Sequence, residues 1–394
     1  MLSDIRVLDL TNVLAGPFCC HQLAHMGAEV IKLESVGRGD LARQLGADKE
    51  LIENHMGISF LAQNAGKKSI TLNLKSKDGK KIFHRLLKTT DILVENFTPG
   101  VMEKLDLDYA KLKGKYPSLI YCAISGFGQT GPLSQRRAYD QIIQGLSGVM
   151  SITGSAEGDP VRAGFPLADT IGGLTAAMAI TAALNKSPRG QMIDVSMLDS
   201  VLATMGWVVS NYLIGGVFPL QQGNENVTSA PSGTFRTGEG LLNIAANEER
   251  QWKALIKHLG CEQLGDQEHF ATRDNRKINR RELTMELEYH LRQKSANQWE
   301  NELTAKGVPA GVVMSVPDIL AHPHITHRGL IANFEDVARI GRDISVIRTG
   351  FHLDGQPTSV SDPPPTIGQH NNELLSELGY GCDVISKFKQ EGII

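Results

Sequence analysis

The first 130 residues alternate between short apolar runs and amphipathic stretches, and this alternation leaves few possible folds. Apolar runs at 5–10 and 29–33 read as buried strands, and the stretch at 18–26 between them reads as a helix. A strand, a helix and a strand within about thirty residues predict two parallel strands joined by a right-handed crossover. The sequence therefore predicts a Rossmann-like, doubly wound α/β sheet. Its further elements are predicted strands at 70–74, 92–95, 119–125 and 191–195 and a helix at 80–88.

Length and changes in composition along the chain predict two domains. With 394 residues the chain is long enough for a large core and a second, smaller one. Residues 1–214, completed by 366–394, are expected to form the large α/β domain, and 233–332 a smaller α+β domain of charged helices and short strands. The Gly-, Asn-, Ser- and Thr-rich stretch 215–232 and the returning stretch 333–365, rich in proline at its end, are predicted to be linkers.

Charge, cysteine usage and the N-terminal sequence exclude several classes of protein. The 40 basic and 43 acidic residues give a net charge of −3, without the basic excess of a nucleic-acid-binding protein. No apolar run approaches the ~20 residues that span a bilayer, and the N-terminus does not resemble a secretory signal. The five cysteines show no C-x-x-C spacing and are expected to be free thiols. We therefore expect a cytoplasmic protein with neither nucleic-acid nor membrane partners.

Two motifs that could hold a cofactor are rejected on their context. The segment 126–131 has the G-x-G-x-x-G spacing of a dinucleotide-binding loop, but Pro132 interrupts the helix that should follow it. Its glycines are better explained by a tight turn close to a ligand or a partner chain. We therefore predict neither a nicotinamide cofactor nor a metal. No Cys or carboxylate at zinc-binding spacing completes a ligand set around the clustered histidines, which are His21, His25, His322, His324 and His327.

Asp169 is the only carboxylate between Val161 and Thr181, in a run of small and apolar residues. It opens a predicted helix that continues to residue 184, and a second, long apolar helix is predicted at 198–213. Asp is a preferred N-cap, because its side chain accepts a hydrogen bond from a free amide of the first turn. A carboxylate at a helix start also stays ionised, which makes it a competent nucleophile. From the residues alone both roles are open, and one side chain can serve both.

The surroundings of Asp169 resemble the class III CoA-transferases, the family of formyl-CoA and carnitine CoA-transferases. The segments RRAYDQIIQGLSG and GDPVRAGFPLADTIGGL carry the resemblance. In the family's P-x-x-D segment the aspartate forms the covalent intermediate, and that position is Asp169 here. Other segments that look like family blocks, and that together cover most of the chain, are DLTNVLAGPF, GAEVIKLE, NAGKKSITLNLK, ILVENFTPG, SGFGQTGP and PPPTIGQHN.

The resemblance also implies a binding site for CoA. Tyr139 and Asp140 are expected to orient Asp169 or the pantetheine arm. Where the family often has Glu-Arg-Pro-Gly, with the arginine on the adenine, this chain has Glu-Ser-Val-Gly at 34–37. Arg38 or Arg43 is therefore expected to take that contact. The positions that match family contacts to CoA are Val13, Ala15, Leu72, Asn73, Lys75, Asn96, Phe97, Lys104, Arg137 and Tyr139.

A group of lysines surrounds the predicted strand at 70–74. Lys67 and Lys68 precede it and Lys75 follows it. CoA carries a pyrophosphate and a 3′-phosphate, which require cations and free amides. These lysines fit such a role, but most lysine runs are solvated faces, so both interpretations are open at this point.

By resemblance, the reaction moves CoA from an acyl-CoA to a free carboxylic acid through an aspartyl-CoA thioester on Asp169. Formyl-CoA transferase closes a run of glycines over the aspartate, whereas 242–248 has none, so we expect a different lid and an acceptor other than oxalate. The pattern is closer to the succinyl-CoA enzymes and predicts itaconate, mesaconate, malate or a glutarate as acceptor. Arg43 and Arg162 are candidates for the second carboxylate. Amides near Gly172 and Gly173, or in the small-domain loop, are candidates for the oxyanion site.

Two other functions stay open beside CoA transfer. The α-methylacyl-CoA racemases resemble this family and move an α-proton with an aspartate and a histidine. A non-catalytic protein that binds CoA esters is the third candidate, although such a protein is expected to lose Asp169. The resemblance further implies an interlocked homodimer, in which each subunit threads through the other.

Overall fold

The computed structural model describes residues 1–337 and 340–394, and the chain divides into two compact units. Unit 1 consists of Met1–Met150, Arg162–Val217 and Pro323–Ile394. Unit 2 consists of Ser151–Val161 and Phe218–His322. Each unit has a hydrophobic core of its own.

Unit 1 is built on a six-stranded sheet whose neighbouring strands are all parallel. Its strands are β1 (Arg6–Asp9), β2 (Glu29–Glu34), β3 (Lys67–Thr71), β4 (Ile92–Glu95), β5 (Ile120–Ser125) and β6 (Gln191–Ser196). The order β3-β2-β1-β4-β5-β6 runs outwards from β1 in one direction and then reverses at β4. The predicted doubly wound sheet is confirmed. Because the connections diverge between β1 and β4, a crevice opens at the carboxyl ends of these strands.

Helices cover both faces of this sheet. Val7 and Val30 belong to a core that includes residues of the helices at 15–25 and 167–184. Leu8 and Ile31 belong to a core on the other face, which includes residues of the helix at 77–87. This alternation follows from the two-residue period of a strand. The helices of unit 1 up to Val217 are α1 (Ala15–His25), α2 (Lys49–Glu53), α3 (Ile58–Leu61), α4 (Lys77–Leu87), α5 (Val101–Lys104), α6 (Tyr109–Leu112), α7 (Asp140–Leu146), α8 (Leu167–Leu184), α9 (Met197–Thr204) and α10 (Trp207–Gly215).

Strand β3 begins three residues before the predicted start. Lys67 is buried in the sheet, with its Nζ 2.9 Å from Asp9 Oδ2. Lys68 forms ion pairs with Glu29 and Glu373. Both lysines are therefore part of the strand and have internal partners, so the interpretation of these two residues as phosphate ligands is wrong. Their charge masked the start of the strand in the sequence.

The predicted helix at 198–213 is two helices. Gly206, at φ 48°, separates α9 from α10, and the axes of the two helices differ by 78°. Glycine adopts positive φ without steric cost, so the break occurs at this residue. Helix α8, with 18 residues and a mean hydropathy of 1.5, is long and apolar enough by composition to cross a membrane. It packs along α1 as part of the core of unit 1.

Unit 2 contains a three-stranded antiparallel sheet in the order β7 (Ser232–Arg236), β8 (Leu241–Ala245) and β9 (Ala310–Val312). The stretch 242–248, which lacks the glycine run, lies largely in β8, where Leu242 and Ile244 are buried. This strand is paired on both sides, with β7 and with β9. A stretch paired in this way is not a mobile lid, so the different lid that the sequence predicts stays a prediction. The helices of unit 2 are α11 (Glu249–Leu259), α12 (Arg273–Ile278), α13 (Arg280–Leu291), α14 (Ala296–Ala305) and α15 (Val316–Ala321).

The C-terminal part of unit 1 covers the edge strand β3. The Asn371 side chain accepts a hydrogen bond from the Thr71 amide at 2.9 Å and donates one to Thr71 Oγ1 at 2.8 Å. The Asn73 amide donates to the Ile393 carbonyl at 2.8 Å. The edge is thus protected from pairing with another chain. The elements of this part are β10 (Ile331–Phe334), β11 (Ile344–Ile347), β12 (His352–Leu353), β13 (Gln356–Pro357), α16 (Pro323–His327), α17 (Asn371–Glu377) and α18 (Cys382–Gln390).

Candidate active site

A cavity of about 430 Å³ lies in unit 1 where β1, β4, β5 and β6 end. This is the crevice that the reversal of strand order creates, the usual ligand site of an open α/β sheet. Its lining is Asn12, Val13, Leu14, Ala15, Leu41, Asn96, Phe97, Thr98, Pro99, Ile124, Ser125, Gly126, Ser134, Arg136, Arg137, Ala138, Tyr139, Asp169 and Met197.

Asp169 reaches this cavity from the first turn of α8. The N-cap of α8 is Pro166, so Asp169 is not the cap that the sequence allowed. In the described parts of the chain no group donates a hydrogen bond to its carboxylate. Burial, and then the negative charge of Asp140, raise the pKa of the Asp169 carboxyl to about 7. Burial thus opposes the ionised state that the start of a helix favours.

Asp140 performs the capping role at the start of α8. Its Oδ1 accepts hydrogen bonds from the amides of Ala168 at 2.7 Å and of Asp169 at 3.4 Å. Its Oδ2 accepts from Gln144 Nε2 at 2.6 Å, and Gln144 Oε1 accepts from the Ala163 amide at 2.9 Å. These bonds fix the backbone that leads into Asp169. Asp140 thus orients Asp169 through the main chain, while its charge raises the pKa of the neighbouring acid.

Two glycines bring α8 close to its neighbours. A Cβ on Gly173 would lie 2.6 Å from the Ala15 carbonyl oxygen and 3.1 Å from the Phe18 ring. A Cβ on Gly172 would lie 2.9 Å from the Met197 side chain. Both glycines lie beyond the first four residues of the helix, so their amides bond within it. The prediction that they supply an oxyanion site is wrong, because no free amide is left there.

The loops after β1 and β4 are joined across the cavity. The Asn12 amide donates to Asn96 Oδ1, and Asn96 Nδ2 donates to the Asn12 carbonyl, both at 2.8 Å. Asn12 is not among the site residues that the sequence predicts. Its position next to Val13, directly after a predicted strand, could have indicated that it lies at the cavity. This reciprocal pair holds the two walls of the crevice at a fixed separation.

The predicted CoA contacts fall into two groups. Val13, Ala15, Asn96, Phe97, Arg137 and Tyr139 line the cavity together with Asp169. The others do not line it. Leu72 is buried in the core, Asn73 and Lys75 lie between β3 and α4, and Lys104 is exposed at the end of α5.

Arg43 is not available to a ligand. It is fully buried, donates to both oxygens of Glu34 at 2.7 Å, and lies 3.6 Å from the Phe60 ring centroid. Its predicted roles at the adenine and at a second carboxylate are therefore wrong. Arg38 and Arg162 are exposed, and Arg136 is an additional cation on the cavity wall.

The histidine clusters take different positions. His21 and His25 are buried on α1, with ring centroids 4.2 Å apart, whereas His322, His324 and His327 are at the surface. Among residues 1–337 and 340–394, no group of three or more His, Cys, Asp or Glu side chains has metal-binding geometry.

Comparisons with known proteins extend over most of both units. A family model described as CoA-transferase family III matches residues 2–371. The chain is similar to the human succinyl-CoA:glutarate CoA-transferase, with 35% identity over 100% of this chain and 90% of the relative. It is also similar to the succinyl-CoA–D-citramalate CoA-transferase of Chloroflexus aurantiacus, with 33% identity over 96% of this chain and 94% of the relative. The crystal structure of a CAIB/BAIF family protein from Brucella suis gives a TM-score of 0.84 at 33% identity, covering 95% of this chain and 98% of that one.

The close approach of α8 to α1 predicts that Gly173→Ala destabilises the protein. The added methyl group would meet the Ala15 carbonyl, and overpacking of this kind costs about 1–3 kcal/mol. Chemical unfolding monitored by circular dichroism measures the effect. Gly114→Ala is the matched control, because nothing lies within 4 Å of its added Cβ. Equal stabilities of the two variants would contradict the packing argument.

Proposed function

The chain belongs to CoA-transferase family III, and we propose that it transfers CoA from succinyl-CoA to a short dicarboxylic acid. The observation that carries the proposal is the Asp169 carboxylate, which enters the cavity without a hydrogen-bond donor in the described chain. The relatives named for glutarate and D-citramalate support succinyl-CoA as donor and a dicarboxylate as acceptor. Itaconate, mesaconate and malate belong to the same chemical class.

In the proposed mechanism Asp169 is a nucleophile. Its carboxylate oxygen attacks the thioester carbonyl, the C–S bond breaks, and an aspartyl–acyl mixed anhydride and CoA thiolate are formed. The thiolate then attacks the aspartyl carbonyl, which gives an aspartyl-CoA thioester and releases the donor acid. The acceptor carboxylate attacks this thioester, the C–S bond breaks, and a second aspartyl–acyl mixed anhydride and CoA thiolate are formed. The thiolate attacks the acceptor carbonyl of this anhydride, which gives the new acyl-CoA and releases the Asp169 carboxylate. Each step exchanges one activated acyl bond for another, so the energy of the thioester is kept.

The environment of Asp169 supports this role. Few groups solvate its carboxylate, so the anion is more basic than a free aspartate, and a more basic oxygen is a stronger nucleophile. Arg136 and Arg137 on the cavity wall provide positive charge for an anionic substrate. Lys75 and Lys104 lie outside the cavity, and we propose that they contact the nucleotide end of CoA.

A racemase would need a histidine opposite Asp169 as the second acid–base group. The described residues that line the cavity include no histidine. The two activities differ in a direct observable. A racemase exchanges the α-proton of its acyl-CoA with deuterium from solvent, and a transferase changes the acid that is bound to CoA.

We also propose that the chain forms the interlocked homodimer that the family resemblance implies. Helix α10 has no buried residue, and Leu213 and Ile214 are 74% and 88% exposed. Met178, on α8, is 67% exposed. An apolar surface of this kind marks a protein–protein contact.

The dimer proposal predicts that Leu213→Lys/Ile214→Lys lowers the molar mass measured by light scattering from that of a dimer to that of a monomer. Ile278→Lys is the matched control, because Ile278 is 81% exposed in unit 2. A wild-type chain that is monomeric at micromolar concentration would contradict the proposal.

Loss of the nucleophile is expected to abolish transfer. Asp169→Ala and Asp169→Asn should lower kcat at least about a thousandfold without unfolding the chain. Mass spectrometry of the CoA products measures the rate, and hydroxylamine trapping of wild-type enzyme should label Asp169. Asp199→Ala, in the equivalent turn of α9, is the control and should keep its activity. Activity of Asp169→Ala within about tenfold of wild type contradicts the covalent mechanism.

The acceptor class is tested by a panel of acids with succinyl-CoA. We expect transfer to at least one of glutarate, D-citramalate, mesaconate, itaconate and malate, with a kcat/KM at least about tenfold above that for butyrate. Oxalate belongs in the panel as the shortest dicarboxylate. Transfer to a long-chain or aromatic acid alone would contradict the proposed acceptor and leave the CoA-transferase reaction in place.

The raised pKa of Asp169 predicts the pH dependence of transfer. Only the ionised carboxylate is nucleophilic, so kcat/KM should rise with pH and reach half its maximum near pH 7. Asp140→Asn removes the neighbouring negative charge but keeps an oxygen for the Ala168 amide. The midpoint should therefore move to lower pH. A profile that is flat from pH 5.5 to 8 would contradict the assignment.

A further inference from the structure

Six charged side chains are buried together at one side of the crevice. They form three ion pairs, Lys67–Asp9 at 2.9 Å, Lys32–Asp40 at 2.8 Å and Arg43–Glu34 at 2.7 Å. None of the six is more than 3% exposed, and their formal charges cancel. The Asp40 amide donates to Glu34 Oε2 at 2.9 Å, which joins the second and third pairs. Asp9 and Lys32 both bond Thr11, which connects the first pair to the other two. None of the six lines the cavity.

The network holds the backbone of residues 11–13, which follows β1 into the cavity wall. Asp9 Oδ1 accepts hydrogen bonds from the Thr11 amide at 2.9 Å and from Thr11 Oγ1 at 2.5 Å. Lys32 Nζ donates to the Thr11 carbonyl at 2.8 Å. Asp40 Oδ1 accepts from the Val13 amide at 2.9 Å. Buried charges therefore bond the main chain on both sides of Asn12.

Val13 has a backbone conformation that needs this support. Its φ is 66°, in the left-handed region that a β-branched residue rarely adopts. A strained residue keeps such a conformation only when its surroundings hold it, and strain of this kind concentrates at ligand sites. Val13 lines the cavity. The strain therefore lies where the ligand is expected to bind.

A buried charge network is a costly way to stabilise a fold. Desolvation of the charges offsets much of their attraction, and apolar side chains of similar size often stabilise a fold to at least the same extent. Three of the six side chains, Asp9, Lys32 and Asp40, instead provide directed donors and acceptors to one short segment. This use points to positioning of the backbone.

We propose that Asp40 is a positioning residue that holds Val13 in the left-handed conformation in which it lines the acyl-CoA cavity. The inference rests on the proposed function, because it takes this cavity as the binding site of the CoA ester. Asp40 acts on the Val13 amide, and Lys32 is its buried counter-charge. Neither side chain lines the cavity.

The test compares two double variants of the full chain, Lys32→Met/Asp40→Asn and Lys32→Met/Asp40→Leu. Each removes one buried cation and one buried anion, so the network stays neutral. Asn and Leu are both close to Asp in size, but only Asn keeps an oxygen that can accept the Val13 amide. The pair therefore separates the loss of the acceptor for the Val13 and Ala42 amides from the effect of charge.

We expect the leucine variant to raise the Kd for CoA, measured by calorimetry, and the KM for succinyl-CoA at least about tenfold. The asparagine variant should stay within about threefold of wild type in both quantities. The kcat at saturating succinyl-CoA should change little in either variant, because Asp169 and Asp140 are untouched. A purely structural role would lower the melting temperature and leave Kd and KM unchanged.

Ser69→Ala is the control within the network. It removes the 2.6 Å hydrogen bond from Ser69 Oγ to Glu34 but no bond to residues 11–13. Its melting temperature is expected to fall while its Kd for CoA stays at the wild-type value. Should the leucine variant fail to fold, Asp40→Glu keeps the charge and displaces the acceptor oxygen, and the same rise in Kd is expected.

Equal Kd values for CoA in the asparagine and leucine variants, or a wild-type Kd in Asp40→Glu where the leucine variant does not fold, would overturn the inference. A wild-type chain that binds CoA but transfers none would count against the proposed function alone, because the comparison of Kd values needs no turnover. A wild-type chain that binds no CoA would overturn both.

Discussion

The reversal of strand order between β1 and β4 is the constraint on which the rest of the site depends. Parallel strands wound in both directions from this point leave their carboxyl ends without a covering connection. The Asn12–Asn96 pair joins the loops after β1 and β4 across the resulting crevice. Gly126, which follows β5, and Met197, which begins α9, add to its wall. Helix α8 packs on this sheet and brings Asp169 to the opening, since Gly172 and Gly173 allow it to lie close to α1 and α9.

Asp140 acts on Asp169 in two ways. It fixes the start of α8 by accepting a hydrogen bond from the Ala168 amide, and its negative charge raises the pKa of the Asp169 carboxyl. Glu95, buried at the end of β4, also has its pKa raised to about 7, chiefly by burial, and accepts a hydrogen bond from the Phe97 amide. The three buried ion pairs behave differently, because each carboxylate lies next to a cation and stays ionised despite its burial. Asp9, Asp40 and Glu34 have lowered pKa values, because attraction to Lys32, Lys67 and Arg43 outweighs their desolvation.

Family membership fixes the reaction more firmly than the substrate. The relatives that are named for glutarate and for D-citramalate match this chain at nearly equal identity. Acceptor choice depends on a few side chains around a small acyl group, and a few substitutions hardly change overall identity. The cations that could bind the second carboxylate of the acceptor are Arg136 and Arg137 on the cavity wall and the exposed Arg162.

The sequence by itself determined the sheet and the central acid. Strand and helix periods are local properties, so the apolar runs of β1, β2, β4, β5 and β6 were readable without knowledge of their neighbours. Asp169 was identified because no other carboxylate lies near it in the sequence. The family resemblance then connected it with CoA chemistry.

Only the tertiary structure decided which polar side chains face a ligand and which face one another. Lys67 meets Asp9 across 58 positions, and Arg43 contacts the Pro365 carbonyl across 322. A lysine or arginine beside a strand looks the same in the sequence whether it binds phosphate or is buried in an ion pair. The sequence likewise allowed Asp169 to cap α8, but the side chain that accepts hydrogen bonds from the first amides belongs to Asp140, 29 positions away. Burial and partner choice depend on contacts between distant segments, and these exist only in the folded chain.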